Sequence, residues 1–182
     1  MDELADLASL KVLANPLRQR ILRALRRTGE ATSTTLAKEL GVTTGGTSYN
    51  LRVLADHGFV EEIPEKSTGR ERWWRFAGRG LRFPRYSEQN EEMRAVFDDL
   101  NRQWFQEDLD GMARFERVRD ELGEWGDALP YSRGELNVTL EELAQFFDDY
   151  LALLNRYAKR PPQPGARNIS MRFVAFPDIP AD

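Results

Sequence analysis

Apolar residues recur every three or four positions through most of the first 57 residues, which is the spacing of helices packed on one side. This pattern predicts four helices, over residues 4–13, 16–29, 33–40 and 44–57. Asn15 is a suitable N-cap before Pro16, and Gly41 suits a helix end because glycine readily adopts the left-handed conformation. Two short helices joined by a turn that contains glycine are typical of a helix-turn-helix.

The pattern then changes to that of strands. Residues 59–63 and the aromatic-rich 72–76 predict two antiparallel strands, joined by the polar residues 64–71. The tip of this hairpin holds Lys66 and Arg70, and we expect it to be a basic wing that lies along DNA phosphates or enters the minor groove.

Helical spacing returns after Ser87 and continues to Leu122. About 35 helical residues would form a rod of about 50 Å, which is too long to pack only against a small domain. Thr139 and Glu142 have the spacing of a capping box, so a further helix is predicted from there to Pro161. Residues 169–176 predict a short strand near the end of the chain.

Together these elements predict a mainly α fold with a small β-hairpin wing. Residues 1–86 would form a winged helix-turn-helix domain that binds DNA. Residues 87–182 would form a helical region for dimerisation, with a short C-terminal strand and aromatic side chains that could line a site for a small apolar effector. Core and dimer packing are the alternative roles for those aromatics.

The net charge of −4 conceals an uneven distribution of charge along the chain. Residues 1–85 hold 15 basic and 10 acidic side chains, whereas residues 86–182 hold 11 and 20. The excess of basic side chains in residues 1–85 indicates that this N-terminal half makes any contact with a polyanion such as DNA.

Composition also limits the chemistry of the chain. It has no cysteine and one histidine, His57, which excludes disulfides, cysteine-based zinc sites and sites built from several histidines. Pairs of adjacent carboxylates, such as Asp98 and Asp99, do not face each other on a helix, so we expect no enzyme activity and no cofactor. No stretch is long and apolar enough for a membrane span, and the acidic start does not suit a signal peptide, so we expect a cytoplasmic protein.

Three segments together resemble a known family. Residues 13–22 (LANPLRQRIL), 36–43 (LAKELGVT) and 48–60 (SYNLRVLADHGFV) are similar to the ArsR-type winged helix-turn-helix regulators. The resemblance covers residues 8–77 and implies a homodimeric regulator, usually a repressor, that binds a partly palindromic operator in double-stranded DNA. The metal sensors of that family use cysteine and histidine clusters, so metal sensing is not implied here.

Candidate functional residues follow from this resemblance and from helical spacing. The predicted DNA-binding residues are Ser33, Thr43, Thr44, Gly45, Gly46, Ser48, Tyr49, Arg52, Lys66, Arg70 and Arg72. Gly45 and Gly46 each cost about 1 kcal/mol in a helix, so they indicate either a close approach to DNA or a frayed first turn. The predicted dimer contacts are Val96, Leu100, Trp104, Leu109, Phe115, Leu143, Phe146 and Tyr150.

Two alternatives stay open at this stage. A winged helix can also serve as a protein-interaction module that binds no DNA. Within DNA binding, a MarR-like arrangement differs in where the dimer helices lie.

Overall fold

The computed structural model describes residues 2–3, 6–69, 71–78, 81–130, 132–161 and 163–180. It divides into two compact units, Met1–Asp127 and Ala128–Asp182. The predicted boundary at residue 86 lies inside the first unit, because the helix that follows it packs on the helix-turn-helix.

The described residues of the first unit include 3-10 turns at Pro64–Lys66, Tyr86–Glu88 and Arg119–Asp127, and five α-helices. The α-helices are α1 (Leu7–Leu13), α2 (Pro16–Thr28), α3 (Ser33–Leu40), α4 (Thr44–Asp56) and α5 (Glu91–Val118). Asn15 caps α2 as predicted, since its Oδ1 accepts hydrogen bonds from the amides of Leu17 and Arg18 at 3.0 and 3.1 Å. Gly41 ends α3 with φ of 66°, in the left-handed region that glycine adopts readily.

Five short strands accompany these helices: β1 (Asp2–Glu3), β2 (Glu30–Thr32), β3 (Val60–Glu62), β4 (Trp73–Phe76) and β5 (Leu81–Arg82). The sheet next to α4 is antiparallel with the order β2-β4-β3. Ala31 pairs with Trp74 and Glu62 also pairs with Trp74, so β4 is the central strand. The β3–β4 hairpin is the predicted wing, while β2 and the parallel β1–β5 pair were not predicted.

One hydrophobic core holds the first unit together. It joins α1, α2, α3, α4 and the β-sheet, and its fully buried side chains include Leu25, Leu36 and Leu54. Met93 and Leu100 of α5 belong to this same core. The long helix is therefore part of the winged domain along its first half.

Polar contacts also attach α5 to α1 and α2. The Trp104 indole Nε1 donates to Gln19 Oε1 at 3.3 Å, and the buried Gln19 amide donates to the Leu13 carbonyl at 2.7 Å. Lys11 pairs with Glu92 at 2.5 Å, and Arg23 forms an ion pair with Glu107. These contacts extend over about four helical turns of α5.

The second unit contains the helix α6 (Leu140–Ala158). Its capping box is present: Thr139 Oγ1 accepts from the Glu142 amide at 3.2 Å, and Glu142 accepts from the Thr139 amide at 2.7 Å. Phe173 stacks on Tyr150 with ring centroids 4.9 Å apart, and it also contacts Phe146 and Phe147.

The strand predicted at 169–176 is wrong, since the structure has no strand at these residues. The segment contributes Phe173 to the aromatic cluster and has no strand partner among the described residues. None of the described residues of this unit is buried, so its apolar side chains stay largely exposed.

Candidate nucleic-acid interface

The first turn of α4 is ordered by a side-chain cap. Thr43 Oγ1 accepts a hydrogen bond from the Gly46 amide at 3.1 Å, which satisfies one of the free amides at the helix start. A Cβ added at Gly46 would lie 3.1 Å from that oxygen, whereas one added at Gly45 would meet nothing within 4 Å. Gly46 therefore makes room for the cap, and Gly45 leaves the outer surface of the turn bare.

The two faces of α4 differ in chemistry. Thr47 and Leu51 are fully buried, and Asn50 Nδ2 donates to the Gly46 carbonyl at 2.8 Å. Thr44 and Arg52 are exposed on the opposite face, and Tyr49 is 62% exposed there. An α-helix with a polar outer edge and small residues at its start can enter the major groove.

A cleft of about 260 Å³ opens where α4, α3 and the wing meet. It is lined by Ser33, Ser48, Arg52, Arg72 and Trp74. Four of these are predicted DNA-binding residues, and they come from the start of α3, the exposed side of α4 and the returning limb of the hairpin. The structure thus brings together residues that are up to 39 positions apart in the sequence.

The wing is charge-balanced, which corrects the expectation of a basic tip. Residues 60–76 contain four acidic and four basic side chains. Lys66 forms an ion pair with Glu30, Arg72 lies 3.4 Å from Glu62, and Arg75 contacts Glu61 at 2.6 Å. The cations of the hairpin are close to carboxylates because the neighbouring strands carry acidic residues at matching registers. The predicted contact Arg70 lies outside the described residues.

The arginines of α2 are also engaged within the chain. Arg18 Nε donates to the Val12 carbonyl at 2.6 Å, and burial lowers the pKa of this guanidinium. Arg20 donates to the Leu40 carbonyl at the end of α3, and Arg26 lies 4.3 Å over the Phe76 ring. In contrast, Arg52 has no hydrogen-bond or ion-pair partner among the described residues.

Comparison with known proteins finds a helix-turn-helix in the same part of the chain. Residues 13–63 match the family model of a helix-turn-helix domain. A possible transcriptional regulatory protein from Mycobacterium bovis (fragment 1–100) is 32% identical over 39% of this chain and 72% of that fragment, with a TM-score of 0.35. The chain belongs to the ArsR-type winged helix-turn-helix regulators. It is a DNA-binding regulator of transcription.

Two further solved structures are similar to this regulator. A possible transcriptional regulator for arsenical resistance is 28% identical, over 56% of this chain and 97% of that one, with a TM-score of 0.35. The antimony-specific transcriptional repressor AntR is 25% identical, over 57% of this chain and 78% of that one, with a TM-score of 0.37. None of the curated proteins compared with the regulator matches it.

The described residues lack two other kinds of feature. No group of three or more His, Cys, Asp or Glu residues that could hold a metal ion occurs in the part of the regulator that the structure describes. Within that same part, no helix is both long and apolar enough to cross a bilayer.

The residues predicted as dimer contacts have different surroundings. Leu100 as a dimer contact is wrong, because its side chain is fully buried in the regulator's own core. Val96 and Trp104 pack against that core and are only partly accessible. Leu109 is 63% exposed on the second half of α5, where Phe115 is half-buried. In the second unit, Leu143 and Tyr150 are half-buried and Phe146 is exposed.

Sequence reasoning missed two parts of the interface. The first is Trp74, which lines the cleft and is otherwise buried. The alternation of side chains along a strand does not tell whether Trp73 or Trp74 is on the side of the cleft. Glu62 lies beside Arg72 because both strands of the hairpin place these side chains next to each other. The alternation of charged residues along 61–75 was the available signal for such pairing.

Proposed function

We propose that this regulator is a repressor that binds a partly palindromic operator as a homodimer. The outer edge of α4 would lie in the major groove, with Thr44, Ser48 and Tyr49 close to base edges. The observation that carries this proposal is the capped start of α4, whose outer face is polar and exposed next to an open, basic cleft. Small residues at 44–46 allow the helix backbone to approach the groove.

Apolar surface supports the homodimer. The second half of α5 carries Phe105, Leu109 and Met112, which are 48%, 63% and 47% exposed. Contiguous exposed apolar side chains of this kind usually mark an interaction surface. Pairing of two copies would bury them and would place two α4 helices near 34–36 Å apart, the spacing of successive major grooves on one side of B-DNA.

A repressor of this kind needs no catalytic group, and we propose that the regulator has no enzyme activity. We also propose that the regulator is cytoplasmic and binds chromosomal DNA there. The aromatic cluster around Phe173 is a candidate site for a small apolar effector, because stacked rings offer an apolar contact surface. Packing within the second unit is the other role of that cluster.

The DNA-binding part of the proposal is tested by fluorescence anisotropy with a duplex taken from upstream of the regulator's own gene and with a scrambled duplex. We expect Tyr49→Ala to weaken binding to the upstream duplex more than to the scrambled one. Tyr86→Ala is the matched control, since Tyr86 is a similarly exposed tyrosine outside the helix-turn-helix. Equal effects of the two substitutions would contradict the role of Tyr49.

The homodimer is tested by analytical ultracentrifugation. Leu109→Asp should shift the wild-type dimer to a monomer, because it introduces a charge into the apolar surface of α5. Arg117→Asp is the control, since Arg117 is an exposed polar position on the same helix. A wild-type protein that sediments as a monomer at micromolar concentration would refute the homodimer.

A further inference from the structure

The cleft between α4 and the wing is lined by residues with hydrogen-bond donors, and none of the described lining residues is acidic. The polar groups of its five lining residues are the hydroxyls of Ser33 and Ser48, the guanidinium groups of Arg52 and Arg72, and the indole N–H of Trp74. Two positive charges without an acidic side chain in the lining make this a site for an anion. Guanidinium forks in particular match the oxygens of phosphate groups.

Most of these donors have no partner within the chain. The hydroxyls of Ser33 and Ser48 and the guanidinium of Arg52 make no hydrogen bond to any described residue. Trp74 is 95% buried, and its Nε1–H, the only polar atom of that side chain, makes no hydrogen bond to another described residue. The indole nitrogen itself is not among the buried polar atoms that lack a partner. As part of a residue that lines the cleft, the indole N–H can donate to a ligand there.

We propose that this cleft holds one backbone phosphate of the DNA duplex, bound by Arg52, Arg72 and the Trp74 N–H. This inference rests on the proposed DNA binding and assigns Arg52 to the phosphodiester backbone, not to a base edge. Ser48 and Arg52 lie on the same helix as Tyr49, so a phosphate in the cleft would fix the register of α4 in the groove.

Glu62 competes with this phosphate for Arg72. Its carboxylate lies 3.4 Å from the Arg72 guanidinium and accepts a hydrogen bond from Ser67 Oγ at 3.1 Å. An exposed ion pair at that distance contributes little, so a phosphate can replace the carboxylate. The intramolecular pair holds Arg72 at the cleft but reduces the positive charge that the duplex encounters.

The first test measures how affinity depends on salt. Arg52→Ala should weaken binding to the upstream duplex and to the scrambled duplex by the same factor, and it should reduce the slope of log affinity against log salt by about one. A loss confined to the upstream duplex would identify Arg52 as a base-reading residue and would overturn the proposal.

The second test compares two substitutions on the same strand. Glu62→Gln should tighten binding about two- to fivefold relative to Glu61→Gln, because a surface pair is worth up to about 1 kcal/mol. Glu61 pairs with Arg75, and neither lines the cleft, so Glu61→Gln removes the same charge without freeing Arg72. Equal affinities of the two variants would contradict the competition.

The third test isolates the indole N–H. Trp74→Phe retains an aromatic ring but removes the donor, and we expect about tenfold weaker duplex binding, since hydrogen bonds to charged groups are worth about 1.5–3 kcal/mol. Urea unfolding of the variant shows whether its fold is intact. If a folded Trp74→Phe protein binds the duplex as wild type does, the indole has no role in the site.

A free anion could offer the same oxygens as the duplex. Calorimetric titration with inorganic phosphate at constant ionic strength separates the two sources. Binding of inorganic phosphate that Arg52→Ala abolishes, with duplex affinity unchanged in that variant, would assign the cleft to a free anion and overturn the proposal. Failure of the wild-type protein to bind any duplex at low salt would instead refute the proposed function itself.

Discussion

The two adjacent glycines at the start of α4 allow a sharp test of the helix cap. Gly45→Ala adds a methyl group that meets nothing within 4 Å, so the full gain in helix propensity of about 1 kcal/mol should appear in the free energy of unfolding. Gly46→Ala gives the same propensity gain but places its Cβ 3.1 Å from Thr43 Oγ1. Displacing that oxygen costs the cap, which is worth about 1 kcal/mol.

We therefore expect Gly45→Ala to stabilise the protein by about 1 kcal/mol and Gly46→Ala to leave its stability nearly unchanged. Urea unfolding followed by far-UV circular dichroism measures both values. In a protein that already carries Thr43→Ala there is no cap to displace, so adding Gly46→Ala should raise the free energy of unfolding by about 1 kcal/mol. Equal stabilisation by the two single glycine substitutions would show that the cap does not control this turn.

Gly45→Ala also separates stability from function. If the bare surface at Gly45 serves a close approach to DNA, the stabilised variant should bind the upstream duplex more weakly than wild type. A variant that is both more stable and equally active would show that Gly45 is there for another reason.

Three further predictions concern packing, capping and pH. Leu100→Ala should destabilise the first unit by about 2–5 kcal/mol, measured by urea unfolding, because Leu100 is fully buried in the core; a loss under 1 kcal/mol would mean that α5 is not part of that core. Asn15→Ala should lower the unfolding free energy by about 1 kcal/mol through loss of the α2 cap, and Asn15→Asp should retain most of it. The capping hydrogen bonds from Thr139 lower the pKa of the Glu142 carboxylate. The ionised carboxylate therefore stabilises α6 fully at a pH above its ordinary pKa of 4.5, and this stabilisation is lost as the pH falls through the lower pKa of the folded protein. Glu142→Gln should remove this pH dependence of the ellipticity at 222 nm, and an unchanged acid transition would argue against it.

Much of the helix-turn-helix could be predicted because its local signals are strong. Asn15 before Pro16, Gly41 after Leu40 and the capping box at Thr139 each determine a helix boundary through backbone chemistry, which the sequence displays directly. The helix α4 could also be predicted, because its apolar positions recur at helical spacing.

Other features depend on contacts between distant residues. Helical spacing shows that Leu100 faces something apolar, but it does not tell whether that is a partner chain or the protein's own α1. The strand β2 has three residues, and it forms because β4 offers an unpaired edge to Glu30 and its neighbours. The charge balance of the wing likewise depends on which side chains the strand register brings together.

The attachment of α5 to the first two helices has a mechanical consequence. The buried Met93 and Leu100, together with the hydrogen bond from Trp104 to Gln19, couple the first half of the helix to α1 and α2. Because α2 also packs on α4, a displacement of the first half of α5 would carry the α4 helix with it as part of the same body.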